Sequence, residues 1–172
     1  AFLSKTRLMK PILFYTLLIL CVAGFCLADT VHAQAATFAP SCSNGQGDVA
    51  ALRTAVAMAS SNGQADSITL AANCRYLLAQ DGGGTLIFGA DSGALTTIVG
   101  NGATIDGGLV EPNNVIQIEA NARVTINRLT IRGGNGQVDP VAVSGSGLIV
   151  NGELTLNHST VTGNQATPFS GA

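Results

Sequence analysis

Tryptophan is absent from this chain, lysine does not occur after Lys10, and charged residues fill only 10% of its 172 positions. The average for soluble proteins is about 25%. Each shortage excludes something. With no Trp and aromatics at 5%, stacking platforms for sugar rings or bases are scarce. Nucleic acid or anionic lipid as a partner requires a basic footprint, and beyond residue 33 the chain has none. Low charge does not mean disorder here, because 47% of the residues are hydrophobic and 21 are Gly. That balance suits a secreted β protein rich in tight turns.

The first 33 residues read as an address. Lys5, Arg7 and Lys10 form a basic start, residues 11–28 carry no charge, and Val31-His32-Ala33 places small residues before a cleavage point at Gln34. The eighteen uncharged residues are also the shortest run that spans a bilayer, so a retained membrane helix is the alternative. Cys21 and Cys26 follow Leu20 and Phe25, not the small residue that a lipoprotein signal needs. Cleavage removes three cations and Asp29, taking the net charge from −2 to −4. The expected address is therefore secreted or cell-surface, outer-membrane or extracellular. The chain lacks an initiator Met and stops just after a repeat, which reads as a fragment of a longer frame. Cys42 and Cys74 remain after cleavage. In an exported protein an even pair reads as a disulfide, two buried thiols being the alternative.

The segment from Val115 to Asn164 says nearly the same thing twice. Arg123-Val124-Thr125-Ile126-Asn127, then Thr130-Ile131 and Gly133, recur thirty positions on as Glu153-Leu154-Thr155-Leu156-Asn157, Thr160-Val161 and Gly163. A fainter copy ends at Thr104-Ile105-Asp106-Gly107. A repeat of this length cannot bury its own apolar face and must stack on its neighbours. The predicted core ladders are Ile126 on Leu156 and Ile131 on Val161, and the predicted cross-repeat ion pairs are Asp106 with Arg132 and Arg123 with Glu153.

Upstream, 34–47 reads as coil. Asp48 is a plausible N-cap, and Val49, Leu52, Val56 and Ala59 recur at helical spacing until Asn62-Gly63. Such a helix would cover the exposed apolar end of a repeat stack.

Here a resemblance appears. Val49-Ala50-Ala51-Leu52-Arg53 through Ser67-Ile68-Thr69-Leu70 resembles the N-terminal cap of bacterial surface β-helix proteins. Ala103 to Gly108 and Val124 to Gly134 look like coils of the pectin-lyase-like superfamily. Gly147-Leu148-Ile149-Val150-Asn151 with Val161-Thr162-Gly163-Asn164 is similar to the repeat of polymorphic outer-membrane proteins, with Val161 where that repeat has Phe. The resemblance implies an all-β fold: a right-handed parallel β-helix (solenoid) with an N-terminal α-helical cap, preceded by a signal-peptide helix. The expected organisation is 1–33 signal peptide, 34–47 coil, and 48–172 cap and first coils.

Polysaccharide cleavage on such a scaffold needs clustered or paired carboxylates. The candidates Asp106, Glu111, Glu119, Asp139 and Glu153 share no position in adjacent repeats, so charge pairing is favoured over a catalytic cluster. Gly133 to Asp139 is one residue out of phase with a calcium-binding nonapeptide and does not recur. His158 lacks a Ser or Asp partner, and Asn157 stacks on Asn127 in a ladder. The insertion Gly134 to Gly147 is the one positional expectation for recognition. The reading is a non-catalytic surface or secreted scaffold, adhesive or structural, without cofactor or catalytic residues. Its expected partners are surface glycans or host or neighbour-cell proteins, with no nucleic acid. Membrane association would come only through the signal segment or a C-terminal anchor. The alternative is the N-terminal portion of a polysaccharide-active lyase or hydrolase.

Overall fold

A computed structural model describes residues 34–109, 114–138 and 147–168. Short runs of alternating Ile, Val or Leu with Thr form strands, because the branched side chains fit a pleated surface buried on one side. Positive-φ residues such as Asn101, Arg128 and His158 end each run and turn the chain. Strands from successive repeats then pair side by side.

Four sheets result. The first has the order β1 (Thr37–Phe38), β4 (Asp66–Thr69), β7 (Leu95–Val99), β10 (Arg123–Asn127), β14 (Glu153–Asn157), all parallel. The second runs β15 (Thr160–Val161), β11 (Thr130–Arg132), β8 (Thr104–Asp106), β5 (Arg75–Leu77), β3 (Gln46–Gly47), β2 (Cys42–Ser43). It is parallel except for the β2–β3 hairpin. The third runs β13 (Leu148–Val150), β9 (Ile116–Ile118), β6 (Leu86–Phe88), and β12 (Asn135–Val138) pairs with β16 (Gln165–Pro168).

Register stacks like on like. Ile68, Ile98, Ile126 and Leu156 form one column, and Tyr76, Ile105, Ile131 and Val161 another. Each fully buried Ile contributes roughly 1.5–3 kcal/mol of apolar burial. Both expected ladders are in register, Ile126 with Leu156 and Ile131 with Val161, and burial is graded along them. Ile126 and Ile131 are fully buried, but Leu156 and Val161 are 39% and 42% exposed. They lie on strands that are outermost among the described residues.

Helix α1 (Val49–Ala59) starts at Asp48, whose carboxylate accepts the Ala51 N–H at 2.9 Å. Its Val49, Leu52, Ala55, Val56 and Ala59 are buried in the same core as the sheets, and it packs against β4 and β6. The disulfide between Cys42 and Cys74 ties the hairpin to the turn before β5. Tyr76 lies beneath it, donating its hydroxyl to Pro40 O at 2.9 Å. Burial, with Asp48 adding to it, raises the phenol's pKa above its ordinary value despite the Ala71 N–H bond. Gly47 is required here, since a Cβ would collide with the Tyr76 ring.

Two expectations are corrected. The fold is mixed α/β, with one α-helix and sixteen strands in several parallel sheets among the described residues. It is not the all-β right-handed parallel β-helix solenoid that the repeats and the resemblance implied, nor a closed barrel. The helix is why the class changes: it supplies part of the common core instead of covering a complete β body. The signal-peptide helix of 1–33 lies outside the described residues. Among those residues no helix is long and apolar enough to cross a membrane. The segment 34–47 is also not coil throughout, since it holds β1, β2 and β3. Two-residue strands are too short to alternate visibly. β1 takes its partners from β4, and the hairpin turns on Asn44 and Gly45, both at positive φ.

Candidate functional site

Three charged residues, Arg75, Asp106 and Arg132, meet on the outer face of the second sheet. Leu77, Asp106 and Arg132 occupy one row across β5, β8 and β11, and Arg75, Thr104 and Thr130 the row beside it. Asp106 therefore has Arg132 next to it and Arg75 on the diagonal, both within side-chain reach. Its Oδ2 accepts from Arg132 Nε at 2.7 Å and from Arg75 Nε at 3.0 Å, while Oδ1 accepts the Gly108 N–H at 2.9 Å.

The Asp106 side chain is only 6% exposed. Burial alone would push its carboxyl up, but the Gly108 N–H, then Arg132 and Arg75, outweigh it and hold the group below its ordinary value. This carboxylate is a poor proton carrier near neutrality. Glycine backbone closes around it: Gly133, at φ 71°, lies so near that a Cβ would strike Asp106 Oδ1. Arg75, Asp106, Gly108, Leu109, Arg132, Gly133 and Gly163 line a cleft of about 320 Å³. Each arginine gives Nε to Asp106, and neither Nη group has a protein partner among the described residues. Among the described residues that line it, two cations share one anion, a net positive charge in a chain that is negative overall. Chemically, it can accept an anion against two guanidinium edges.

The other sequence candidates separate from this site. Arg123 Nε meets Glu153 Oε2 at 3.0 Å in register on β10 and β14, both half-exposed or more. A pair so open contributes at most about 1 kcal/mol. Asn157 Nδ2 donates to Asn127 Oδ1 at 3.0 Å. Glu119 accepts from Gln117 at 2.6 Å. His158 lines a second cleft, about 530 Å³, with Val99, Asn127 and Arg128. Glu111, Asp139 and most of the 134–147 insertion lie outside the described residues, while Asn135–Val138 are strand rather than loop.

Sequence reasoning missed two arginines. Arg75 is offset by two residues from Asp106, and it precedes Tyr76 in a copy too degenerate to align; the diagonal was its only signal. Arg53, on α1, donates to Asp81 Oδ2 at 2.6 Å and to the carbonyls of Gly83 (2.6 Å) and Gly84 (3.0 Å). It fixes the glycine loop to the helix. Comparison with known proteins finds no matching family model, no similar curated protein and no similar solved structure.

Proposed function

We propose that this chain is a non-catalytic secreted or cell-surface scaffold, adhesive or structural in use, that holds carboxylate-bearing glycans at the Arg75–Arg132 cleft. The single observation behind this reading is the state of Asp106. Three donors occupy its two oxygens, so it orients two guanidiniums and does not exchange protons. Burial plus complete pairing makes that arrangement rigid, and rigid arginine forks recognise carboxylates with geometric selectivity.

The rival reading is part of a polysaccharide-active lyase or hydrolase, and the same cationic cleft supports it by offering a place for an acidic sugar. Titration calorimetry with oligomers of a uronic acid, run beside an assay for new reducing or unsaturated ends, separates the two. The scaffold reading expects saturable, salt-weakened binding with no new chain ends, and loss of binding in Arg132→Gln. Oligomer cleavage would overturn it in favour of the enzyme, and absence of binding would remove the glycan partner.

A further inference from the structure

Helix α1 ends among buried oxygens. After Ala59 the chain turns through Ser60 and Asn62-Gly63 into β4, and this turn lies against the one that leads into β7. Gly89 packs on Ser60, where a Cβ would sit 3.3 Å from Ser60 O. Gly63 N donates to Asp91 Oδ1 at 2.6 Å, and Thr96 Oγ1 donates to Ala59 O at 3.1 Å. Asp91 is thereby left 7% exposed. Its second oxygen, Oδ2, is fully buried without a hydrogen-bond partner, and so is Ser60 Oγ. In the same turn Asp66, 3% exposed, spends both oxygens on neutral donors, Ala36 N and Asn62 Nδ2, each at 2.6 Å. Among the described residues neither aspartate takes part in a salt bridge.

The chemistry of these groups identifies what fits them. A buried carboxylate needs its oxygens bonded and its charge answered. The helix end adds to that demand, because the last turn of α1 has no basic residue to oppose the partial negative charge of a C-terminus. Both features call for a cation. The donors are oxygens only, and among the described residues no three His, Cys, Asp or Glu side chains gather, so the set suits a hard ion rather than zinc or copper. Two aspartates match a divalent charge. Calcium accepts irregular mixtures of carboxylate, hydroxyl, carbonyl and water oxygens. Magnesium demands near-ideal octahedral geometry and sheds water reluctantly, which suits buried, fixed donors poorly.

We propose that the turn after α1 binds one calcium ion through Asp91 Oδ2 and Ser60 Oγ, with Asp66 supplying the second negative charge, and that the ion ties the helix end to the turn before β7. The site shares no residue with the arginine cleft and does not depend on the glycan reading.

The test uses the whole chain, cleared of divalent ions by chelator and dialysis. Titration calorimetry with calcium chloride should show one saturable site with a Kd on the order of 10⁻⁴–10⁻³ M, and magnesium chloride should bind at least about tenfold more weakly. Thermal unfolding in about 10 mM calcium should shift up by roughly 3–8 °C. Asp91→Asn keeps an acceptor for Gly63 N and brings an amide donor within the reach of Ser60 Oγ. It should fold, lose the calcium response, and melt in chelator at or above the parent. Ser60→Ala should fold and bind several-fold more weakly, while Glu153→Gln, which alters an exposed carboxylate, should bind as the parent does. No heat and no shift with calcium would overturn the proposal and leave the two oxygens to a buried water. So would binding that survives Asp91→Asn, a magnesium response equal to that of calcium, or an Asp91→Asn variant that melts well below the parent in chelator, the mark of an aspartate kept for its protein bonds alone.

Discussion

Replacing Ile126 by alanine removes three carbons from the middle of a column. Ile126 is fully buried, with fully buried Ile98 on one side and Leu156 on the other. Lost transfer energy is about 2.4 kcal/mol at about 0.8 per carbon, and the cavity term brings the cost to about 3–4 kcal/mol. Leu156→Ala removes the same number of carbons, but from a residue already 39% exposed. Its cost should be about 1 kcal/mol. For a body of this size that is roughly 10 °C in Tm for Ile126→Ala against roughly 3 °C for Leu156→Ala. Thermal unfolding followed by circular dichroism reads both, with Thr125→Ala, facing outward, shifting by less than about 2 °C. Equal losses at 126 and 156, or an Ile126→Ala shift no larger than that of Thr125→Ala, would refute the inward assignment.

Three further outcomes follow from the structure. The folded-state pKa of Asp106 is depressed, so its stabilisation is complete above the unfolded value of about 4 and is lost as pH falls through the folded value. Asp106→Asn should therefore flatten acid unfolding below about pH 4 and cost about 1–2 kcal/mol at neutrality; an unchanged acid limb in urea melts would contradict this. Reducing Cys42–Cys74, which closes a separation of 32 residues, should cost about 3–4 kcal/mol on the loop-entropy account, read as a drop in the urea midpoint. Gly133→Ala sets a methyl against Asp106 at a positive φ. It should weaken uronate binding as much as Arg132→Gln does, and tight binding by a folded variant would place the ligand elsewhere.

Much of the pairing was legible in the chain because a parallel ladder carries its register in the repeat itself. Arg123 opposite Glu153 and Asp106 opposite Arg132 both follow from aligning Val-Thr-Ile and Leu-Thr-Leu. The capped helix was legible from Asp48 and a four-residue apolar rhythm, and the disulfide from the two cysteines left beyond the leader. What escaped has physical causes. Class was misjudged because repeats describe strands and say nothing of how much core a helix supplies. Arg75 escaped because its contact with Asp106 is diagonal, and the 34–47 strands because two residues cannot show a period.

Methyl NOE spectroscopy on the folded chain, with Ile, Leu and Val labelled, tests the stacking of repeats most directly. Cross-peaks should link Ile98 to Ile126 and Ile126 to Leu156, and Ile105 to Ile131 and Ile131 to Val161. A spectrum joining Ile126 to partners one residue out of step, or showing no contact between residues thirty positions apart, would contradict the account.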